Sequence, residues 1–397
     1  MELSSLLSRF NEPETLKMAR LGRALRERGI DVIDLSLGEP DFNTPLHIKE
    51  AAKKAIDENY SHYTPVPGFL ETRKAVVEKL KRDNHLDYTT DQIVISTGAK
   101  QSIANVMLAL LEPGKEIIIP RPYWVSYSEI AKVAGGEVVY LSTGAEQNYK
   151  ITPEELEKAI TPKTKLFIFS SPCNPSGAVY SKDELAGLAA IFEKHPDIYI
   201  ISDEIYEYIN YTSEGHQSIA QFDTIKDRVI LVNGLSKGFA MTGWRIGYIA
   251  ANTEICKACE KIQGQFTSGT NAIAQRATIT ALTDPLDATY EMVKQFEVRK
   301  KRVMELIREF PFMDCTEPKG AFYIFPEVSK YFGMKNGDTY INDSTDLCMY
   351  LLNEAHVSSV AGTAFGAPGN IRFSFANNLP NIEEAFKRMK AQLEKLS

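Results

Sequence analysis

Short apolar runs alternate with longer amphipathic stretches along most of this chain. Residues 93–96, 116–119, 165–169, 198–201 and 228–232 are β-branched or aromatic runs of four or five. They are too short for ordinary helices and predict buried strands. Between them the pattern predicts helices from Ala99, after Trp124, and from Ser181-Lys182-Asp183-Glu184, which has capping-box form. Thr152-Pro153-Glu154-Glu155 predicts an N-cap followed by proline at the first helical position. This alternation from about residue 45 to about residue 281 predicts an α/β fold, a mainly parallel sheet with helices on both faces. After a long polar helix near 287–310 the character changes. Residues 321–325 and 370–375 predict strands of a smaller α+β unit, closed by a C-terminal helix. No internal repeat and no Pro/Gly/Ser-rich linker interrupts the chain.

At 397 residues, 44% hydrophobic and 24% charged, the chain suits one large and one small globular domain. Its net charge of −7, without a basic block, argues against nucleic acid as a partner. The first ten residues lack the basic leader and apolar run of a secretory signal, and no stretch is long and apolar enough for a membrane span. A cytoplasmic protein is expected. The five cysteines, Cys173, Cys256, Cys259, Cys315 and Cys348, are odd in number and scattered, which favours a reducing compartment over a disulfide framework. Cys256 and Cys259 form a CxxC, but on a helical stretch with no second pair. Two small apolar residues on one helix face outweigh zinc or redox chemistry there, and no metal site is expected.

Candidate chemistry gathers after the predicted strands, where open α/β sheets place their reactive groups. Lys237 follows the 228–232 strand in Gly234-Leu235-Ser236-Lys237-Gly238, and Arg245 follows in Gly243-Trp244-Arg245-Ile246-Gly247. An arginine among glycines suits a bound anion. Asp203 ends the run Ile198-Tyr199-Ile200-Ile201-Ser202 and begins Asp203-Glu204-Ile205-Tyr206. Asn174 lies in Pro172-Cys173-Asn174-Pro175-Ser176-Gly177. Thr97-Gly98-Ala99-Lys100-Gln101 joins a strand to a helix, and the amides of such a junction favour phosphate. Each has an ordinary reading too: a solvated lysine, a helix-capping aspartate, a proline-rich turn.

Taken together, these motifs resemble the class I aminotransferases, enzymes of pyridoxal 5'-phosphate (PLP) fold type I, most nearly the bacterial aspartate aminotransferase branch. The resemblance spans Gly38 to Arg372. It implies that Lys237 holds PLP as a Schiff base and acts as the base, while Asp203 pairs with the ring nitrogen. Tyr206 and Asn174 meet the ring's phenolic oxygen. Trp124 stacks on the ring, and Gly98, Ala99, the Lys100 backbone, Ser236 and Arg245 hold the phosphate. Gly234 stands where many relatives carry a serine, which implies one phosphate contact either missing or supplied by water. No role is implied for Cys173.

On the substrate side, the resemblance implies that Arg372 clamps the α-carboxylate beside Gly38, and that Asn174 and Trp124 line the cleft. Lys100 and Thr15 then recognise a distal carboxylate. Tyr63, in His62-Tyr63-Thr64-Pro65, reaches the phosphate of a partner chain, which implies a homodimer with shared sites. A large PLP-binding domain over 46–290 and a discontinuous small domain of 1–45 and 291–397 also follow from the family.

The expected activity is amino-group transfer from aspartate to 2-oxoglutarate. Aromatic acids, prephenate or alanine remain alternative substrates, and a PLP lyase remains an alternative on the same fold. A nicotinamide dehydrogenase ranks last, because no GxGxxG follows a strand.

Overall fold

The apolar runs become strands of one seven-stranded sheet: β1 (Ile93–Ser96), β2 (Glu116–Arg121), β3 (Glu137–Ser142), β4 (Thr164–Ser170), β5 (Tyr199–Asp203), β6 (Val229–Gly234) and β7 (Gly247–Ala250). This computed structural model describes residues 3–12 and 14–397; the side chains of Thr15 and Leu16 also lie outside the described residues. The strand order is β1-β7-β6-β5-β4-β2-β3, with β7 alone antiparallel to its neighbours. Two strands did not stand out in the sequence. Edge strand β3 buries none of its residues fully, so its apolar signal is weak. Buried β7 has only four residues and runs on from the Arg-Ile-Gly motif.

Successive strand residues feed opposite faces, as the period of two requires. Val94, Ile117, Ile119, Leu166, Ile168, Ile230 and Val232 pack into one core. Ile93, Ile95, Ile118, Phe167, Ile200 and Leu231 pack into the other. Helix Thr253–Phe266 covers the first face and buries both Cys256 and Cys259 in it. Burial pushes the Cys256 thiol up to about 12, as expected of packing residues. The predicted caps form: Ser181 accepts from the Glu184 amide ahead of Lys182–Lys194, and Thr152 accepts from Glu155 ahead of Pro153–Ala159.

A third core joins helices Asp287–Ile307 and Leu379–Leu393 to a sheet of β8 (Tyr323–Ile324), β9 (Val360–Ala361) and β10 (Ile371–Ser374), ordered β9-β10-β8. Strand β8 is shorter than the predicted 321–325, because Ala321 takes a left-handed φ of 55° that bends the chain into it. Met18, Val32, Ile33 and Leu35 of the N-terminal segment belong to this same core. Ile33–Asp34 pairs in parallel with Val357–Ser358. Among the described residues no helix is long and apolar enough to cross a membrane.

Candidate active site

The C-terminal ends of β1, β2, β4, β5 and β6 open onto one cavity of about 400 Å³. Its wall includes Ala99 and Lys100 after β1, Trp124 after β2, Asn174 after β4, Asp203 and Tyr206 at β5, and Ser236, Lys237 and Arg245 after β6. Gly38 from the N-terminal segment and Arg372 from β10 close the other side. Residues spread over the whole sequence therefore face one space.

Lys237 is half-buried, and its amine donates to the Gly38 carbonyl. Burial, chiefly, together with the charges of Arg372 and Arg245, lowers its proton affinity to about 8 against the pull of Glu39. Asp203 is 4% exposed, and burial raises it to about 6. The hydroxyl of Tyr127 donates to Asp203 Oδ2 at 2.5 Å, and the Ile205 amide donates to Oδ1 at 3.2 Å. Tyr127 was not singled out from sequence. The one local signal is its place one helical turn beyond Trp124, with which it packs edge to face at 5.4 Å.

The helix Ala99–Leu110 starts without a side-chain cap, and Ala99 and Lys100 of its first, positive turn line the cavity. Gly98 has φ 85°, and any Cβ there would collide with the Arg245 guanidinium, so these two elements touch. Arg245 donates to the Thr242 carbonyl at 2.9 Å and has no carboxylate partner among the described residues. Gly247 lets the amide of Ala99 lie directly on β7. At Gly234, paired with Gly247, a Cβ would stand 2.6 Å from the Ile246 carbonyl oxygen. A serine has no room there.

Arg372 is 1% exposed and its ordinary basicity is lowered by burial. It donates to Asn174 Oδ1 at 2.9 Å and to the Ser36 carbonyl at 2.5 Å, and its Nε has no partner among the described residues. No carboxylate among the described residues pairs with it. Lys100 is exposed as a residue, yet its amine lies 5.0 Å over the Trp124 ring. Burial and the Arg245 charge lower its affinity for a proton. The Tyr206 hydroxyl meets that of Tyr323 at 2.8 Å, a contact that no sequence motif signalled. Tyr63 does not join the cavity and is 97% exposed. The Thr15 side chain lies outside the described residues. Cys173 is buried against the Pro122 carbonyl.

The family described as aminotransferase class I and II matches residues 30–389. An aspartate/prephenate aminotransferase of Nitrosomonas europaea is 41% identical over 99% of this chain and 100% of its own length. An aspartate aminotransferase of Bacillus subtilis is also 41% identical, over the full length of both. Among solved structures, the aspartate aminotransferase of Rhizobium meliloti aligns with a TM-score of 0.96 at 39% identity, covering all of both chains. That of Thermus thermophilus with maleate aligns with a TM-score of 0.92 at 36% identity, over 99% of this chain and 100% of that one. With the cavity of Lys237, Asp203 and Arg372 on an α/β sheet, and likeness along its whole length, the chain belongs to the class I and II aminotransferases.

Proposed function

We propose that this aminotransferase uses PLP to move the amino group of aspartate to 2-oxoglutarate. The observation that carries the substrate is a pair of cations without carboxylate partners among the described residues, Arg372 and Lys100, lining one cavity. A buried charge without a counter-ion is costly, so Arg372 favours a ligand carboxylate, and the Lys100 amine, held over Trp124 in the same cavity, offers a second cation to a ligand. Two such sites suit a dicarboxylate, and the names of the relatives agree.

The residues fit PLP. The uncapped helix start at Gly98–Ala99, with Ser236 and the unpaired Arg245, forms a phosphate cradle. Asp203, buried and without a cationic partner among the described residues, suits the protonated ring nitrogen. Trp124 offers a ring face, and Tyr206 and Asn174 offer polar groups for the phenolic oxygen. When bound, PLP supplies an electron sink for the pair released as the substrate's α-C–H bond breaks. Lys237 takes that proton on Nζ, for which an amine lowered to about 8 is well matched near neutral pH. Arg372 and Asn174 orient the α-carboxylate, Gly38 closes over it, and Lys100 with Thr15 holds the distal carboxylate.

In this reading Tyr63 serves the phosphate of a second copy, and its exposure leaves it free to do so. The cavity then lies between a large domain over 46–290 and a small one of 1–45 and 291–397, which supplies Arg372. Five free cysteines suit the cytoplasm.

A kcat/KM panel over aspartate, glutamate, alanine, phenylalanine, tyrosine and lysine, with 2-oxoglutarate and with prephenate as acceptors, tests the assignment. Net transfer also separates this activity from a lyase. A desolvated ammonium–carboxylate contact contributes about 1.5–3 kcal/mol, so Lys100→Ala should lower aspartate kcat/KM roughly ten- to hundredfold and spare alanine. Alanine or phenylalanine outrunning aspartate in the wild type would refute the substrate, though not the transfer.

A further inference from the structure

One side chain that carries none of the roles above touches three that do. Tyr323 is fully buried on β8. Its hydroxyl lies 2.8 Å from that of Tyr206. The guanidinium carbon of Arg372 stands 4.5 Å from its ring centre. A Cβ on Gly38 would come 2.8 Å from the same hydroxyl, so the phenol also occupies the space beside the carbonyl that Lys237 contacts. Backbone pairing sets this up. Tyr323 lies opposite Ser374, two residues beyond Arg372 on β10, which makes Tyr323 and Arg372 diagonal neighbours on one face.

Two hydroxyls in one contact use one proton between them and leave the other to point elsewhere. A cation over a phenol ring stabilises its electron-rich form and makes that phenol the better donor. Arg372 supplies such a cation to Tyr323, and its charge opposes the burial that raises the Tyr323 phenol. Arg372 acts on Tyr206 too, but less than on Tyr323, and the cation facing the Tyr206 ring is Lys237, farther off at 5.7 Å. We infer that Tyr323 is a positioning residue for the transfer reaction: held under Arg372, it donates to the Tyr206 oxygen and leaves the Tyr206 proton aimed into the cavity. The inference rests on the proposed facing of Tyr206 toward the phenolic oxygen of PLP and of Arg372 toward the substrate carboxylate. It links the substrate clamp to the cofactor side through one side chain.

Donation to a phenolic oxygen stabilises its anion, so a stronger Tyr206 donor lowers the pH at which the visible band of the PLP-loaded enzyme titrates. In the holoenzyme, Tyr323→Phe should raise that midpoint by about one pH unit, the size of one buried neutral hydrogen bond. In a Tyr206→Phe background the same change should add almost nothing, because Tyr323 acts through Tyr206. Since the ring under Arg372 remains, maleate affinity should stay within about threefold of wild type. Replacing Tyr323 by 3-fluorotyrosine, a more acidic phenol of nearly the same shape, should move the midpoint the opposite way and keeps the test open if the phenylalanine variant folds poorly. An unmoved midpoint in Tyr323→Phe beside a shifted one in Tyr206→Phe overturns the inference alone. So does an equal shift in both backgrounds. No visible band in the wild type, or no shift in Tyr206→Phe, overturns the cofactor reading and this inference with it.

Discussion

Tyr127 donates its hydroxyl to Oδ2 of Asp203 at 2.5 Å, from a helix that begins after β2 to the end of β5. This bond and the Ile205 amide both favour the carboxylate anion, yet Asp203 stands near 6. Desolvation outweighs two hydrogen bonds here because no cation among the described residues pairs with the carboxylate. The charge of this carboxylate therefore costs stability, a cost that the protonated ring nitrogen of the proposed cofactor would offset.

That cost is measurable. The folded-state value of Asp203 lies above that of a free aspartate, so its favourable contribution is complete at low pH and is lost as pH rises through about 6. Cofactor-free Asp203→Asn should accordingly be more stable than wild type above about pH 6, by up to roughly 3 kcal/mol, with the gap closing below about pH 4. Transaminase activity should fall about a hundredfold or more, since the ring nitrogen loses its counter-charge. Urea unfolding at the two pH values decides it; equal stability at pH 7.5 would remove the claimed strain.

The lowered Lys237 amine predicts a pH profile of the opposite kind. Only the neutral amine attacks an aldehyde, so capture of added PLP by cofactor-free protein should quicken about tenfold per pH unit below about 8 and level off above it. Stopped-flow absorbance gives the profile. A rate still climbing toward pH 10 would mean an ordinary lysine. Lys237→Ala should yield no borohydride-stable adduct, and an adduct on another lysine would defeat the assignment.

Gly234 offers a test of packing against chemistry. A serine there would add a hydroxyl beside the proposed phosphate cradle, but its Cβ would press on the Ile246 carbonyl and the Gly247 Cα. Gly234→Ser should cost about 1–3 kcal/mol in thermal or urea unfolding without tightening PLP. Tighter cofactor binding at unchanged stability would show that β6 and β7 can part.

Shared sites in a homodimer can be tested with two crippled chains. Lys237→Ala and Tyr63→Ala, each inactive or severely impaired alone, should recover part of the activity when mixed and allowed to exchange subunits. Tyr63 is 97% exposed in the single chain, so its loss should leave monomer packing unchanged. Demonstrated exchange with no recovery would count against a site built from two copies.

Lys237, Asp203, Asn174 and the Gly98–Lys100 turn were legible as candidates because each follows a strongly apolar run within five residues, and an open parallel sheet gathers such ends along one edge; their roles came from the family resemblance. Unbroken apolar runs likewise determined the two-sided core, since a period of two sends neighbouring apolar residues to opposite faces. The pairings needed the tertiary structure. Tyr127 and Asp203 lie 76 residues apart, Tyr206 and Tyr323 lie 117 apart, and Asn174 and Arg372 lie 198 apart. Buried tyrosines carry no local mark that separates a hydrogen-bonding partner from core filling. A lowered Lys237 amine was expected from burial beside a cationic phosphate site, but the raised Asp203 was hidden, because the desolvation that outweighs its hydrogen bonds exists only once distant segments have closed over the site.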